Sequence, residues 1–274
     1  MIRVRLYARQ AFGEVLYKVG LRRLPPSSLS VLMYHAVVRE DLQDPLQESI
    51  CARQFETQMA TLRNLGVEIV SLGEGIQRLA RGSEARPAVS IVFDDGYVGV
   101  HDHALEALLR HRIPATLFLV SGYMGRPVFP WASPQLGRPL TWMEVATLVK
   151  GAGCEVGSHT HTHAILTQLK PQAIRRELHL SRDAIQHHLG VIPRLFAYPY
   201  GSYGAFNAQT RQILLEEGFS VACTTIWGRH LLGDDPLSVK RLRVSWSDTA
   251  HEVRKSLAGC YDWYRFVQRL QTAF

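Results

Sequence analysis

Short apolar runs alternate with amphipathic helical stretches along most of the chain, and this alternation constrains the fold more than any other feature. Residues 30–34, 67–70, 88–93, 115–120, 155–158, 195–198, 219–224 and 237–244 read as strands. Helices are expected over 52–65, 73–80, 104–110, 141–150, 171–189 and 206–217. Each has its own signal. Phe55, Met59, Leu62 and Leu65 lie near helical spacing, with Gly66 as a stop. Thr141 and Glu144 form a capping-box pattern. Ile174, Leu178, Ile185 and Leu189 share a face that begins at Pro171 and ends at Gly190. Strands that alternate with helices run parallel, in a βα barrel or a doubly wound sheet. A length of 274 residues suits one such barrel.

Composition excludes several classes. With 46% hydrophobic and 20% charged residues the chain is globular rather than disordered. Cys51, Cys154, Cys223 and Cys260 are far apart, so they read as reduced core thiols and not as a zinc knuckle or a disulfide framework. The net charge of +7 belongs mainly to residues 1–23, where Arg3, Arg5, Arg9, Lys18, Arg22 and Arg23 face one acid, Glu14. The rest is nearly neutral, so a nucleic-acid-binding body is not implied. The same charges interrupt any secretory-signal core, and no run of about 18 apolar residues could span a bilayer. A cytoplasmic protein is expected, peripheral at the inner membrane if its N-terminus touches lipid. That segment could form a helix with Val4, Tyr7, Ala11, Val15 and Val19 on one side. Such a helix either docks its apolar side on the main domain or lies on anionic lipid. Pro25 and Pro26 follow it. The tail, 252–270, reads as one more helix with Val253, Leu257, Cys260, Tyr264 and Val267 in a stripe.

Two motifs carry chemistry. The strand 88–93 ends on Asp94, Asp95 and Gly96. Two carboxylates facing one small volume need a cation or a proton between them, although an Asp-Asp-Gly turn that merely ends a strand has the same sequence. The second motif places His159, His161 and His163 within five residues, in a chain with twelve histidines. The four-residue step from His159 to His163 lets two imidazoles converge on one ion, with His161 pointing elsewhere. Two imidazoles and one carboxylate leave a position open for water, as catalytic rather than structural zinc sites do. Other divalent first-row metals fit the same donors.

Phe93-Asp94-Asp95-Gly96 followed by Ser158-His159-Thr160 and His163 resembles the polysaccharide deacetylase family, the NodB-homology carbohydrate esterases. The segments 31–35, 196–201 and 241–244 resemble the branch that de-N-acetylates poly-N-acetylglucosamine exopolysaccharides. The likeness runs over about residues 30–245. It implies a distorted (β/α) barrel with fewer than eight strands. It implies that Asp95, His159 and His163 bind the metal, zinc first, with cobalt, nickel or manganese as alternatives. Asp94 would be the general base and His35 the general acid. Tyr200 would lend its backbone N–H to the oxyanion, and Arg241 would hold Asp94 ionised. Many members have an arginine where this chain has Ala197, so the steadying of the base falls to Arg241. A late acid motif is not apparent, since His230 and His251 are the only histidines near the end. On the residues alone, His35 could be a hydrogen-bonded strand-end histidine and Arg241 an ordinary surface ion pair.

The expected organisation is a basic segment over 1–28, a deacetylase-like barrel over 29–246 and a C-terminal helix over 247–274. The expected substrate is an N-acetylhexosamine-containing polysaccharide or a lipid-linked saccharide. The alternatives are a non-catalytic saccharide-binding subunit of the same fold and an amidase for a non-sugar amide.

Overall fold

The computed structural model describes residues 2–19, 27–40, 48–82 and 86–271, with side chains from residue 9 onward and to residue 270. Pro25, Pro26, Arg22 and Arg23 lie outside the described residues, as do the side chains of Val4 and Tyr7. The strands are β1 (Ser28–Tyr34), β2 (Ala36–Val38), β3 (Ser49–Cys51), β4 (Glu68–Ile69), β5 (Ala88–Phe93), β6 (Ala115–Leu119), β7 (Glu155–Ser158), β8 (Leu195–Ala197), β9 (Val221–Trp227), β10 (His230–Leu231) and β11 (Val239–Arg243). The helices are α1 (Ile2–Lys18), α2 (Ala52–Asn64), α3 (Leu72–Ala80), α4 (Leu105–His111), α5 (Trp142–Ala152), α6 (Pro171–Leu189), α7 (Ala208–Glu216), α8 (Ala250–Leu257) and α9 (Tyr264–Gln271).

Seven parallel strands close on themselves in the order β1-β11-β9-β8-β7-β6-β5, because β1 pairs with β11 on one side and β5 on the other. Strands β4 and β10 extend the sheet at its lower end, and β2 pairs with β3 in a separate two-stranded sheet. This is the expected barrel of fewer than eight strands.

The strand alternation decides which residues meet. Along β1, Leu29, Val31 and Met33 join the barrel interior, while Leu32 and Tyr34 pack outward under the helices. Along β5, Ala88 and Val92 point in, and Val89, Ile91 and Phe93 point out. Strands buried on both faces read as unbroken apolar runs, which is why β5 has the sequence it has. Continuing each strand by its own parity puts His35 above Met33 and Asp94 above Val92. The same rule aims Arg241, two residues after the inward Val239, at the same end of the barrel.

Two expectations need correction. The tail is not one helix: α8 stops at a turn where Gly259 adopts φ +86°, and α9 starts afresh at Tyr264. The stripe is real, since Val253, Leu257 and Cys260 are buried, but it is carried by two elements and a turn. The N-terminal helix also docks by the opposite side from the one its periodicity suggested. Val15 and Val19 face solvent, at 57% and 73% exposure. The docked side holds Arg9, paired with Asp248 at 2.6 Å, Gly13 against the Tyr261 ring, and Glu14 bound to His251 at 2.8 Å. An ion pair and a ring-filled glycine notch outweighed two valines. No described helix is long and apolar enough to cross a membrane. All four cysteines are buried, and no disulfide joins them.

Candidate active site

The C-terminal ends of the barrel strands gather the chemistry. Hydrogen bonds continue past the strands to hold the site residues: Asp94 N–H donates to the Tyr34 carbonyl (3.0 Å), and His159 N–H to that of Leu119 (2.9 Å). Asp95 then turns at φ +68° and Gly96 at φ +93°. That double left-handed step breaks the strand alternation, so that both acids face inward instead of opposite ways. Among the described residues six non-glycines have positive φ, and four of them are Asp95, Thr160, His163 and Tyr200. Backbone strain is thus concentrated where the side chains converge.

Asp94 is buried between two partners. Its Oδ1 accepts a hydrogen bond from Arg241 Nη1 at 2.7 Å, and its Oδ2 lies 4.0 Å from His35 Nε2. Arg241 is itself buried and donates its Nε–H to the Thr224 carbonyl at 2.6 Å. The surface ion pair considered for Arg241 is therefore ruled out. Burial pushes the Asp94 carboxyl up, but Arg241, His159 and His35 outweigh it and hold it at about 2. Arg241 is thus the buried cation paired with Asp94, while position 197 carries alanine. The Ala197 carbonyl meanwhile accepts from His159 Nδ1 at 2.7 Å, which fixes the tautomer and leaves Nε2 with a lone pair.

Asp95 Oδ1 lies 3.4 Å from His159 Nε2 and 3.5 Å from His163 Nε2. The three donor atoms sit within 4.8 Å of one another. Burial drives the His159 and His163 imidazoles down, His163 to about 2, so both offer neutral nitrogens. Burial, then Asp94 and Glu48, push the Asp95 carboxyl well above its usual range. Asp95 Oδ1 has no hydrogen-bond partner among the described residues. A buried, partnerless carboxylate oxygen facing two imidazole lone pairs fits a cation. The turn-only reading of the Asp-Asp-Gly stretch does not account for this arrangement.

His161 turns aside and bonds Ser121 Oγ at 3.0 Å. Tyr200, at φ +62°, keeps its ring 4.9 Å from His163, and its backbone N–H makes no hydrogen bond among the described residues. A second donor group, His101, Asp102 and Glu144, lies near the surface, where Glu144 already binds Arg138 and caps α5.

Two neighbours were not placed at this site from the sequence, in which Trp131 reads as part of a long loop, packing there or stacking on a sugar ring. Trp131 stacks on His163 with centroids 4.4 Å apart. Glu177 of α6 accepts from the backbone N–H groups of His161 (2.9 Å) and Thr162 (2.8 Å) and from the Thr162 hydroxyl (2.9 Å). It thereby clamps the histidine loop from outside. Nothing local in the sequence marks a helix glutamate as a loop clamp. Glu177→Ala is expected to lower metal affinity about 10–100-fold with the fold retained, read by competition with a chromophoric chelator. Unchanged affinity would show that the loop holds itself.

The site opens into a cleft of about 500 Å³ whose far wall includes Arg9, Tyr264 and Gln268 from the terminal helices. A larger apolar cavity of about 770 Å³ lies at the other end of the barrel. Two half-buried acids line it: Glu155 is bonded by Ser71, Gly73 and Thr116, and Asp234 by Lys240 and the Leu231 N–H, so size does not mark the chemistry.

The family model for polysaccharide deacetylase matches residues 81–222, just over half of the chain. The chain belongs to the polysaccharide deacetylase family. Among relatives of this deacetylase, YxkH of Bacillus subtilis is 25% identical over 222 residues, 80% of this chain and 72% of that one. The poly-beta-1,6-N-acetyl-D-glucosamine N-deacetylase of Staphylococcus aureus is 24% identical over 161 residues, 56% of this chain and 54% of that one. The chain thus spans about half the length of the staphylococcal relative. IcaB from Ammonifex degensii superposes with a TM-score of 0.71 and 28% identity, covering 84% of this chain and 97% of that one. Streptococcus pyogenes deacetylase PplD, solved with acetate, gives 0.71 at 22% identity over 85% of this chain and 99% of that one, which establishes a shared fold.

Proposed function

We propose that this deacetylase is a metal-dependent hydrolase that removes N-acetyl groups from an N-acetylhexosamine-containing polysaccharide or lipid-linked saccharide. The observation that carries the reading is the convergence of Asp95, His159 and His163 beside an ionised Asp94 held by Arg241. Those three ligands suit zinc first, and cobalt, nickel or manganese by the same donors. A divalent cation held there supplies Lewis acidity toward the acetamide carbonyl and acidifies water in the site.

The rest is work for the chain's own groups. Asp94 accepts the proton as water attacks the carbonyl carbon. Arg241 keeps that carboxylate charged until the moment of transfer. The Tyr200 N–H is offered to the developing oxyanion. His35 delivers a proton to the leaving nitrogen, and acetate and a free amine depart. Burial pushes the His35 imidazole down to about 3, against the pull of Asp94, so His35 enters the cycle neutral. Its proton therefore comes from within the site, and Asp94, 4.0 Å away, is the group that has just gained one.

Acetate release across a panel of free and lipid-linked N-acetylglucosamine oligomers tests the reading. Release is expected from the zinc- or cobalt-loaded protein, loss after chelation, and recovery on adding metal back. A metal-loaded protein that frees no acetate from any member of the panel overturns it.

A further inference from the structure

Two helices contribute Arg9, Tyr264 and Gln268 to one wall of the cleft, and both expose apolar side chains on the side away from it. In α9, Tyr264 and Gln268 line the cleft, and Gln268 ties the helix to β9 by accepting from the Trp227 N–H at 2.7 Å and donating to the Thr225 carbonyl at 3.0 Å. At about 100° per residue, Phe266 and Leu270 fall on the opposite side, and they are 58% and 65% exposed. In α1, Arg9 lines the cleft and Gly13 packs inward, while Phe12, Val15 and Val19 face out. The two helices touch where Phe12 meets Trp263, with centroids 5.7 Å apart, just before α9 begins. The exposed apolar side chains of both helices therefore flank one contact.

Charge says what covers them. Besides Arg9, which faces the cleft and is paired with Asp248, the two helices carry Arg3, Arg5, Lys18, Arg265 and Arg269 against a single acid, Glu14. That acid is engaged by His251 and the buried Lys255. Lys18, Arg265 and Arg269 are exposed beside the apolar side chains, and the Arg265 guanidinium lies over the Phe266 ring. Outward apolar residues edged by cations, with no free acid among them, are complementary to an anionic bilayer.

We propose that the outer faces of α1 and α9 lie on an anionic lipid surface and hold the cleft at its edge. One helix diameter, about 10–12 Å, then separates the lipid headgroups from the reacting acetamide. A sugar a short linker away from its lipid anchor reaches the site without leaving the membrane. The docking surface stands on its own observations; the substrate consequence rests on the deacetylase reading.

The test is co-sedimentation of the full chain with vesicles of phosphatidylcholine alone or mixed with phosphatidylglycerol. Binding to the mixed vesicles is expected to exceed binding to phosphatidylcholine by more than tenfold and to fall with salt, since each basic residue that reaches the surface contributes roughly fivefold. The double variants Val15→Ser/Phe266→Ser and Val19→Ser/Leu270→Ser are each expected to lose most of this binding. Both should keep their thermal melting and their acetate release from soluble oligomers. Equal binding to the two vesicle types, or no binding, overturns the proposal. So does a concentration-dependent dimer that the same substitutions abolish, since a second copy would then cover the face. Vesicle binding without acetate release from any substrate supports the docking surface and counts against the deacetylase reading alone.

Discussion

Asp94→Asn is expected to cut acetate release by about 10²–10⁴-fold while zinc content stays at the level of the parent protein. The asparagine keeps the shape and still accepts from Arg241, but it cannot take a proton from water. The three donor atoms belong to Asp95, His159 and His163, so metal analysis of the purified variant separates loss of the base from loss of the cation. A variant that retains full activity would remove Asp94 from the mechanism. One that loses its metal would make Asp94 part of the binding set.

Arg241→Met is the second large effect. It leaves the Asp94 carboxylate buried without its 2.7 Å partner, a change that costs about 3–5 kcal/mol in comparable buried pairs. Urea unfolding checks this, and Asp94→Asn/Arg241→Met should recover part of the loss because no uncompensated charge remains. The pH dependence has a definite sign. The folded Asp94 carboxyl is held at about 2, below its ordinary 3.8, so its stabilising contribution is present above 3.8 and disappears as pH falls through 2. Without Arg241, burial raises that carboxyl, and the acid limb of kcat/KM at saturating zinc moves to higher pH. An acid limb that does not move would mean that Arg241 holds the fold and not the base.

Sequence patterns revealed what is local. An apolar run that stops on two acids marks β5 and its active end, and a four-residue histidine step marks a pair of ligands. Alternation of strands and helices marks parallel strands, in a barrel or a doubly wound sheet, and the family likeness selects the barrel. Long-range partners were visible only through family likeness: Arg241 and Asp94 are 147 positions apart, and no spacing rule joins them. The clamp by Glu177 had no signal, and Trp131 was marked only as a tryptophan of a long loop and not as a partner of His163, because both contacts depend on how loops fold over a finished barrel. The N-terminal helix shows the limit of periodicity. Spacing says which residues share a side, as Val15 and Val19 do, but not which side is buried; Arg9 with Asp248 and Gly13 against Tyr261 decided that. In the tail, one glycine at positive φ divided what the stripe joined.

Barrel closure has a consequence for how the activity is inherited. The family match, residues 81–222, contains Asp94, the proposed base, and all three candidate donor residues. It contains neither His35 nor Arg241, which sit after β1 and on β11, the strands that complete the ring on either side of it. On the proposed reading, the shared segment supplies the donor residues and the Asp94 carboxylate, and the flanking strands supply its two neighbours, His35 and Arg241. A fragment trimmed to the shared segment would hold the ligand residues yet lack both partners of its base.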